Sequence, residues 1–137
     1  MKNQYLGDRN DDFDQIPPNS LQSAVILVDP DNGLEVKSSR HGNLHKYIRY
    51  SEAKGLFSRM NRDSLLVLYQ HLPRVRRERY LADLHNRTQK ELGCPTPVSI
   101  ADSQIALVIV ARDAIRRRRI EPAASEYLRR DLLVRDL

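Results

Sequence analysis

The sequence predicts a mainly helical protein, α+β at the margin, in which an N-terminal β-hairpin packs on a bundle of about four to five helices. Beyond Ser51, apolar residues recur at the three- and four-residue spacing of helices, and Gly and Pro divide the chain into helix-sized segments. The clearest strand and turn signals lie near residue 30 instead. With 137 residues, 40% of them hydrophobic and 30% charged, the chain has the size and composition of one globular domain.

Charge separates the chain into an acidic leader and a basic body. Residues 1–35 carry two basic and seven acidic side chains, whereas the rest carries 21 basic and 11 acidic ones, a net charge of +10. The first 20 residues are polar and contain the pair Pro17-Pro18 near their end, which suits neither helix nor strand. We therefore expect residues 1–20 to form an acidic flexible tail and residues 21–137 to form a single basic domain.

The hairpin is predicted from three consecutive segments. Ser23–Val28 is rich in β-branched residues, Asp29–Gly33 contains the Pro, Asn and Gly that favour a tight turn, and Leu34–Lys37 alternates apolar and charged residues. A lone hairpin is only marginally stable. We therefore expect it to pack on the helices, to gain a third strand from Lys46–Tyr50, or to pair with another chain.

Three helices are predicted in the middle of the chain, over residues 51–60, 64–72 and about 74–92. Ser51 and Asp63 are the expected caps of the first two helices. Pro73 suits the first turn of the third helix, and Gly93, with prolines soon after it, is expected to end that helix.

The last third of the chain is predicted to hold one long helix near residues 100–119 and a final helix over residues 122–133. Ser99 and Asp102 resemble a capping box, and no Gly or Pro follows until Pro122. Ile105–Ala111 is apolar on every side, which is typical of a helix buried at the centre of a fold. Because several of these residues are β-branched, a buried strand over the same segment is the alternative.

Arginine is used in preference to lysine and gives the strongest functional signal, because its planar guanidinium suits phosphates and base edges. One group opens the predicted third helix, where the helix dipole disfavours cations, so the fold gains nothing from it there. A second group, Arg112, Arg116 and Arg119, shares one face of the predicted long helix. Offsetting the dipole in that helix's last turn is a structural alternative for the second group. The predicted nucleic-acid-binding residues are Arg74, Arg76, Arg77, Arg79, Asn86, Arg87, Lys90, Arg112, Arg116 and Arg119.

These residues predict a nucleic-acid-binding protein, a small DNA-binding regulator of transcription or an accessory factor, with DNA or RNA as its partner. Contacts to phosphates dominate non-specific affinity, and a strongly basic body favours them. The alternative is a protein-protein interaction module, an inhibitor or adaptor, that uses the basic face against an acidic partner. The unpaired hairpin edge and the last helix favour a homodimer in either case.

Other motifs point away from enzymes, cofactors and membranes. His41 and His45 lack further ligands around them, so no metal site is predicted, and no Gly-rich phosphate loop or nucleophile elbow suggests catalysis or a cofactor. His71 and His85 are expected in or beside the core. The single cysteine, Cys94, and the absence of any apolar run of about 20 residues predict a cytoplasmic protein without membrane spans.

Overall fold

A computed structural model describes residues 13–30, 32–35 and 46–135, the last nine of these by their backbone only. The described part is an α+β structure with three α-helices and six strands, so the predicted bundle of four to five helices is wrong. The strands are β1 Val25–Val28, β2 Gly33–Leu34, β3 Tyr47–Ile48, β4 Leu65–His71, β5 Val98–Ala101 and β6 Ile105–Ala111. The helices are a 3-10 turn at Pro18–Leu21 and the α-helices α1 Tyr50–Arg59, α2 Arg77–Leu92 and α3 Ala114–Arg135.

Four strands form one mixed sheet in the order β1-β4-β6-β5. β1 runs parallel to β4, whereas β6 is antiparallel to both β4 and β5. β2 and β3 form a separate parallel pair. The carboxyl ends of β1 and β4 therefore lie at the same end of the sheet as the β5–β6 turn, here called the upper end.

β4 occupies residues that were predicted as a helix. Its Leu66, Leu68 and Gln70 are buried, and the residues between them are half-buried. A central strand with neighbours on both edges and cover on its faces is apolar at nearly every position. Such a run satisfies the helical spacing of Leu65, Leu66, Leu68 and Tyr69 equally well, which explains the error.

β6 replaces most of the predicted helix near residues 100–119, so the alternative of a buried strand over Ile105–Ala111 is what the structure shows. The Ser99–Asp102 pattern marks no helix start, because Ser99 lies within β5. Asp102 instead closes the β5–β6 turn, where its Oδ1 accepts hydrogen bonds from the amides of Gln104 at 2.7 Å and Ile105 at 2.9 Å. An Asx turn and a capping box use the same side-chain oxygen chemistry, so the sequence does not separate them.

Among the described residues, the predicted N-terminal hairpin is absent, and residues 36–37 of its second strand lie outside them. β1 covers most of the first predicted strand, but it pairs with β4 and not with the segment after the turn. β2 pairs with β3, which lies within the predicted third strand at Lys46–Tyr50. The local turn residues predicted the correct first strand but the wrong partner. The seven-residue apolar strand β4 offers β1 more buried area than the two-residue strand β2 can.

Two of the predicted helices are present with shifted starts. α1 begins at Tyr50, and its first turn is closed by Glu52, whose Oε1 accepts from the Arg49 amide at 2.8 Å. α2 ends at Gly93, which adopts the left-handed conformation at φ 68° that favours glycine at this position. α3 joins the end of the predicted long helix to the final helix, and it contains Pro122 within its length.

Residues 13–20, expected within the flexible tail, pack against the domain. Phe13 and Ile16 contact the core cluster, and Leu21 at the end of the 3-10 turn is fully buried. Arg59 holds this segment by donating to the carbonyls of Phe13 at 2.7 Å and Ile16 at 2.5 Å. The rest of the predicted tail lies outside the described residues.

The two faces of the sheet are covered unequally. One face carries the main core, in which Leu66, Leu68, Val108 and Val110 pack with side chains of α1 and α2. α3 lies along β5 and β6. On the opposite face of the sheet, Val67 and Ile109 are half-buried. The β1 side of that opposite face keeps Val25 and Leu27 exposed.

A buried glutamine ties the upper end of the sheet together. Gln70 is 1% exposed, and its Oε1 accepts a hydrogen bond from the Leu34 amide at 2.8 Å while its Nε2 donates to the Tyr80 hydroxyl at 2.9 Å. Gly33 lies so close that a Cβ there would stand 2.3 Å from Gln70 Oε1. One amide therefore joins β4 to β2 and to the first turns of α2.

Replacing this amide by an apolar group tests its role. We expect Gln70→Leu to lower the free energy of unfolding by about 1–3 kcal/mol, because it leaves the buried Leu34 amide without an acceptor. Urea unfolding followed by circular dichroism measures the change. Gln104→Leu is the matched control, since Gln104 is exposed, and an equal loss in both variants would contradict the assigned role.

Candidate anion-binding surface

The two predicted arginine groups lie at opposite ends of the sheet. Arg74–Arg79 follows the end of β4, whereas Arg112–Arg119 follows the end of β6, and these strands are antiparallel. His71 pairs with Ile105 at one end and Leu65 with Ala111 at the other. A seven-residue strand spans roughly 20 Å, so the two groups do not form one compact cluster.

The upper group lies on a loop and on the first turn of α2. The helix begins at Arg77, about one turn later than predicted, and Arg74 and Arg76 belong to the preceding loop. Pro73 fixes that loop, since its carbonyl accepts from the Val75 amide at 2.8 Å. We call Arg74, Arg76, Arg77 and Arg79 the upper arginine cluster.

Most of the upper arginine cluster is uncommitted within the described part of the chain. All four side chains are exposed. Arg77 donates to the Asp102 carbonyl at 3.1 Å, which joins the cluster to the β5–β6 turn. For the side chains of Arg74, Arg76 and Arg79, the described residues supply no hydrogen bond or ion pair.

The start of α2 adds to the positive potential there. Arg76 precedes the helix and gives its first turn no side-chain cap, so the dipole of a 16-residue helix is not offset by a capping group. Glu78 is the acidic residue of that first turn. Arginines and unpaired amides at one helix end together form the electrostatic arrangement that anions favour.

A further cation that no local sequence pattern indicates lies at this end. Lys46 is exposed, and its carbonyl accepts from the Asn32 amide at 2.7 Å. The Asn32 carbonyl accepts in turn from the His71 amide at 3.4 Å, next to the loop that carries the cluster. Since these residues are far apart in the chain, only the pairing of β2 with β3 brings them together. His71, expected in or beside the core, is also exposed at this end, with its ring 5.3 Å from that of Tyr69.

Of the predicted nucleic-acid-binding residues later in α2, some present exposed side chains and one is engaged in contacts within the fold. Asn86 and Lys90 are exposed and lie on the same side of the helix as Arg79, so they extend the basic surface along α2. Arg87 instead stacks on the Tyr50 ring at 4.5 Å, and it donates to the Glu35 carbonyl at 3.4 Å. Arg87 thus fastens α2 to the β2 and α1 region.

The lower arginines serve the fold. Arg112 precedes α3 and so is not on the predicted helical face; its Nη1 donates to the Phe57 carbonyl at 2.8 Å, and its guanidinium stacks on the Phe57 ring at 4.4 Å. Arg116 bridges Asp63 at 2.9 Å and Asp113 at 3.4 Å. Of the three predicted residues, Arg119 alone is exposed.

Asp113 is the hub of this lower network. Its Oδ1 caps α3 by accepting from the Arg116 amide at 2.9 Å, and its Oδ2 faces Arg62 at 3.4 Å. The amide hydrogen bond and the nearby Arg116 and Arg62 charges hold the pKa of Asp113 below its usual value. The lower group therefore connects the ends of α1 and β6 with the start of α3.

His85 and Ser99 form a polar contact between α2 and the edge strand β5. Their Nε2 and Oγ atoms are 2.5 Å apart, and both residues are half-buried. Burial, followed by the positive charge of Arg117, lowers the pKa of His85 below its ordinary value of 6.5. A histidine beside a serine is a first requirement for nucleophilic catalysis, but the positive charge of Arg117 opposes the imidazolium that such catalysis forms.

A cleft of about 480 Å³ lies between residues 13–14 and α1. Phe13, Asp14, Ser51, Glu52 and Arg59 are among its lining residues. Arg59 is engaged by the carbonyls of the N-terminal segment, so the cleft is a junction between that segment and α1.

Comparison with known proteins gives no match, since no family model, curated protein or solved structure is significantly similar to the chain. Among the described residues, no helix is long and apolar enough to cross a bilayer. The same residues contain no group of three His, Cys, Asp or Glu side chains placed to hold a metal ion. The geometry of the basic surface is therefore the observation from which a function is inferred.

Substitution of Arg112 tests whether the lower arginines stabilise the fold. We expect Arg112→Ala to lower the free energy of unfolding by about 1–2 kcal/mol, through loss of its stacking and of its hydrogen bond to Phe57. Exposed Arg119→Ala should change it by no more than about 0.5 kcal/mol. Denaturant titration of both variants measures the difference, and equal effects would show that Arg112 is also a surface residue.

His85 predicts a pH dependence of stability. Above pH 7.5 the imidazole is neutral in both states and contributes nothing; as pH falls through the ordinary value of 6.5, the unfolded chain binds the proton more readily, so stability is lost. The unfolding free energy should therefore fall more between pH 7.5 and 5.5 in the wild type than in His85→Gln. Parallel pH profiles for the two proteins would refute the assignment.

Proposed function

We propose that the protein is a nucleic-acid-binding protein, a cytoplasmic regulator or accessory factor, that contacts phosphates through the upper arginine cluster. The observation that carries the proposal is the concentration of four exposed arginines at the uncapped start of α2. The proposed site does not include Arg112 and Arg116, because their guanidinium groups make hydrogen bonds and ion pairs within the fold.

Energetics supports a binding role for the cluster. Cations at a helix start are disfavoured by the dipole and repel one another, so this arrangement weakens the isolated fold. A bound polyanion removes both penalties and gains charge-assisted hydrogen bonds with the guanidinium groups. Lys46, Asn86 and Lys90 widen the surface and provide further phosphate contacts.

A double-stranded nucleic acid fits this surface better than a single strand. Readers of single strands present aromatic rings on which bases stack. Tyr80, the tyrosine nearest the cluster, is half-buried, and its hydroxyl accepts from Gln70. Arginines on an exposed loop and helix start are suited to the phosphates of a duplex, which face outward.

Matched charge removal tests the proposal. Arg74→Ala, Arg76→Ala and Arg79→Ala combined should weaken binding to duplex DNA and reduce the slope of log K against log salt by about 2.7, or about 0.9 per lost phosphate contact. Fluorescence anisotropy with labelled duplex, measured at several salt concentrations, gives both quantities. Double-stranded RNA and single-stranded DNA serve as parallel probes.

The control variant removes the same charge elsewhere: Lys54→Ala, Arg118→Ala and Arg119→Ala combined, all at exposed positions. We expect this control to retain most of the wild-type salt slope. Equal losses in the two triple variants would contradict a localised site. Salt-dependent binding to polyglutamate but not to any nucleic acid would contradict the proposal. It would show that the same surface has the alternative function, recognition of an acidic protein partner.

A further inference from the structure

Within the described part of the chain, β1 is an edge strand, and its side chains remain accessible on both faces. Its neighbour β4 buries every second residue, whereas β1 has no fully buried residue. Val25 is 68% exposed and Leu27 is 61% exposed. Ile26 and Val28, on the other face, contact the core but remain half-buried. A missing strand neighbour explains partial exposure on both faces at once.

The edge lacks the features by which edge strands normally avoid pairing. Such strands carry charges, prolines or bulges that block a second chain. The five residues Ala24–Val28 are all apolar, and the first charge after them is Asp29. β1 pairs with β4 in an unbroken register, so no bulge interrupts it.

The backbone of β1 shows which groups face outward. The Ala24 carbonyl accepts from the Leu65 amide at 2.9 Å and therefore points towards β4. Because backbone groups alternate along a strand, Ile26 and Val28 also point towards β4. The amides and carbonyls of Val25 and Leu27 thus face the outer edge, along which none of the described strands pairs.

We propose that this edge pairs with β1 of a second copy of the chain, antiparallel about a two-fold axis at Ile26. Val25 then lies opposite Leu27 of the second copy, and the two residues exchange both backbone hydrogen bonds. The same exchange occurs on the other side of the axis. All four outward-facing groups are thereby satisfied, and the two four-stranded sheets become one sheet of eight strands.

Self-complementarity selects a second copy as the occupant. Centred on Ile26, the register pairs residues 24–28 with residues 28–24, so only apolar residues oppose one another. A one-residue shift would place side chains from opposite faces against each other. A two-residue shift, centred on Leu27, would place Asp29 opposite Val25. A register centred on Val25 would place Ser23 opposite Leu27, so the register centred on Ile26 is the one that opposes apolar residues throughout.

The oligomeric state tests the pairing. Sedimentation equilibrium of the full chain in moderate salt, which screens the repulsion between two net charges of +5, should give twice the 15.9 kDa of one chain. Val25→Lys places a charge at the edge on a side chain that is already exposed, and it should give a monomer. Ile115→Lys, at another exposed apolar position, should remain a dimer.

Oxidative cross-linking tests the register. Ile26→Cys places two thiols across the axis, where opposing Cα atoms are about 4.5 Å apart and a disulfide forms readily. Val28→Cys places them about 13 Å apart and should not cross-link. The wild type is the background control, because Cys94 is buried.

Each alternative outcome overturns the proposal. A wild-type monomer at high protein concentration would assign the edge to another protein or to a segment of the same chain. A dimer that survives Val25→Lys would place the interface elsewhere. Cross-linking through Val28→Cys and not through Ile26→Cys would exclude the register.

Discussion

The hydrogen bonds of Gln70 are the interaction on which the upper end of the molecule depends. A buried amide without partners is costly, so Gln70 requires both the Leu34 amide and the Tyr80 hydroxyl. The first partner fixes β2, and with it the β2–β3 pair. The second fixes the first turns of α2 beneath the upper arginine cluster. The arginines thus project from a loop whose two ends are held by the same side chain.

The arginines divide by their environment into two physical classes. Arg59, Arg112 and Arg116 donate to backbone carbonyls or bridge carboxylates, and they join segments that are distant in sequence. The upper arginine cluster faces solvent, with Arg77 making one backbone contact. Net charge does not separate these classes, because a guanidinium that joins segments of the fold and one that binds a partner each contribute one positive charge.

Sequence predicted the features that depend on neighbouring residues and missed those set by distant ones. α1, α2 and the left-handed Gly93 follow from local apolar spacing and from the glycine after α2, whereas the predicted start residues Ser51 and Pro73 were wrong. The helical prediction for β4 and β6 failed because buried central strands are apolar at most positions, and only their mutual pairing selects the strand. The sequence singles out the upper arginine cluster because these cations oppose the helix dipole, and its binding role stays a prediction. Its separation from Arg112 and Arg116, and its proximity to Lys46, depend on strand order, which no local pattern contains.

The most direct test of the proposed site is an amide nuclear magnetic resonance titration of labelled protein with a short duplex. The account predicts that the largest shift changes fall on residues 74–80, with smaller ones at Lys46, Asn86 and Lys90. Amides of residues 112–119 should move little, since their arginines belong to the fold. Changes concentrated at residues 112–119, or spread evenly over all exposed basic residues, would contradict the account.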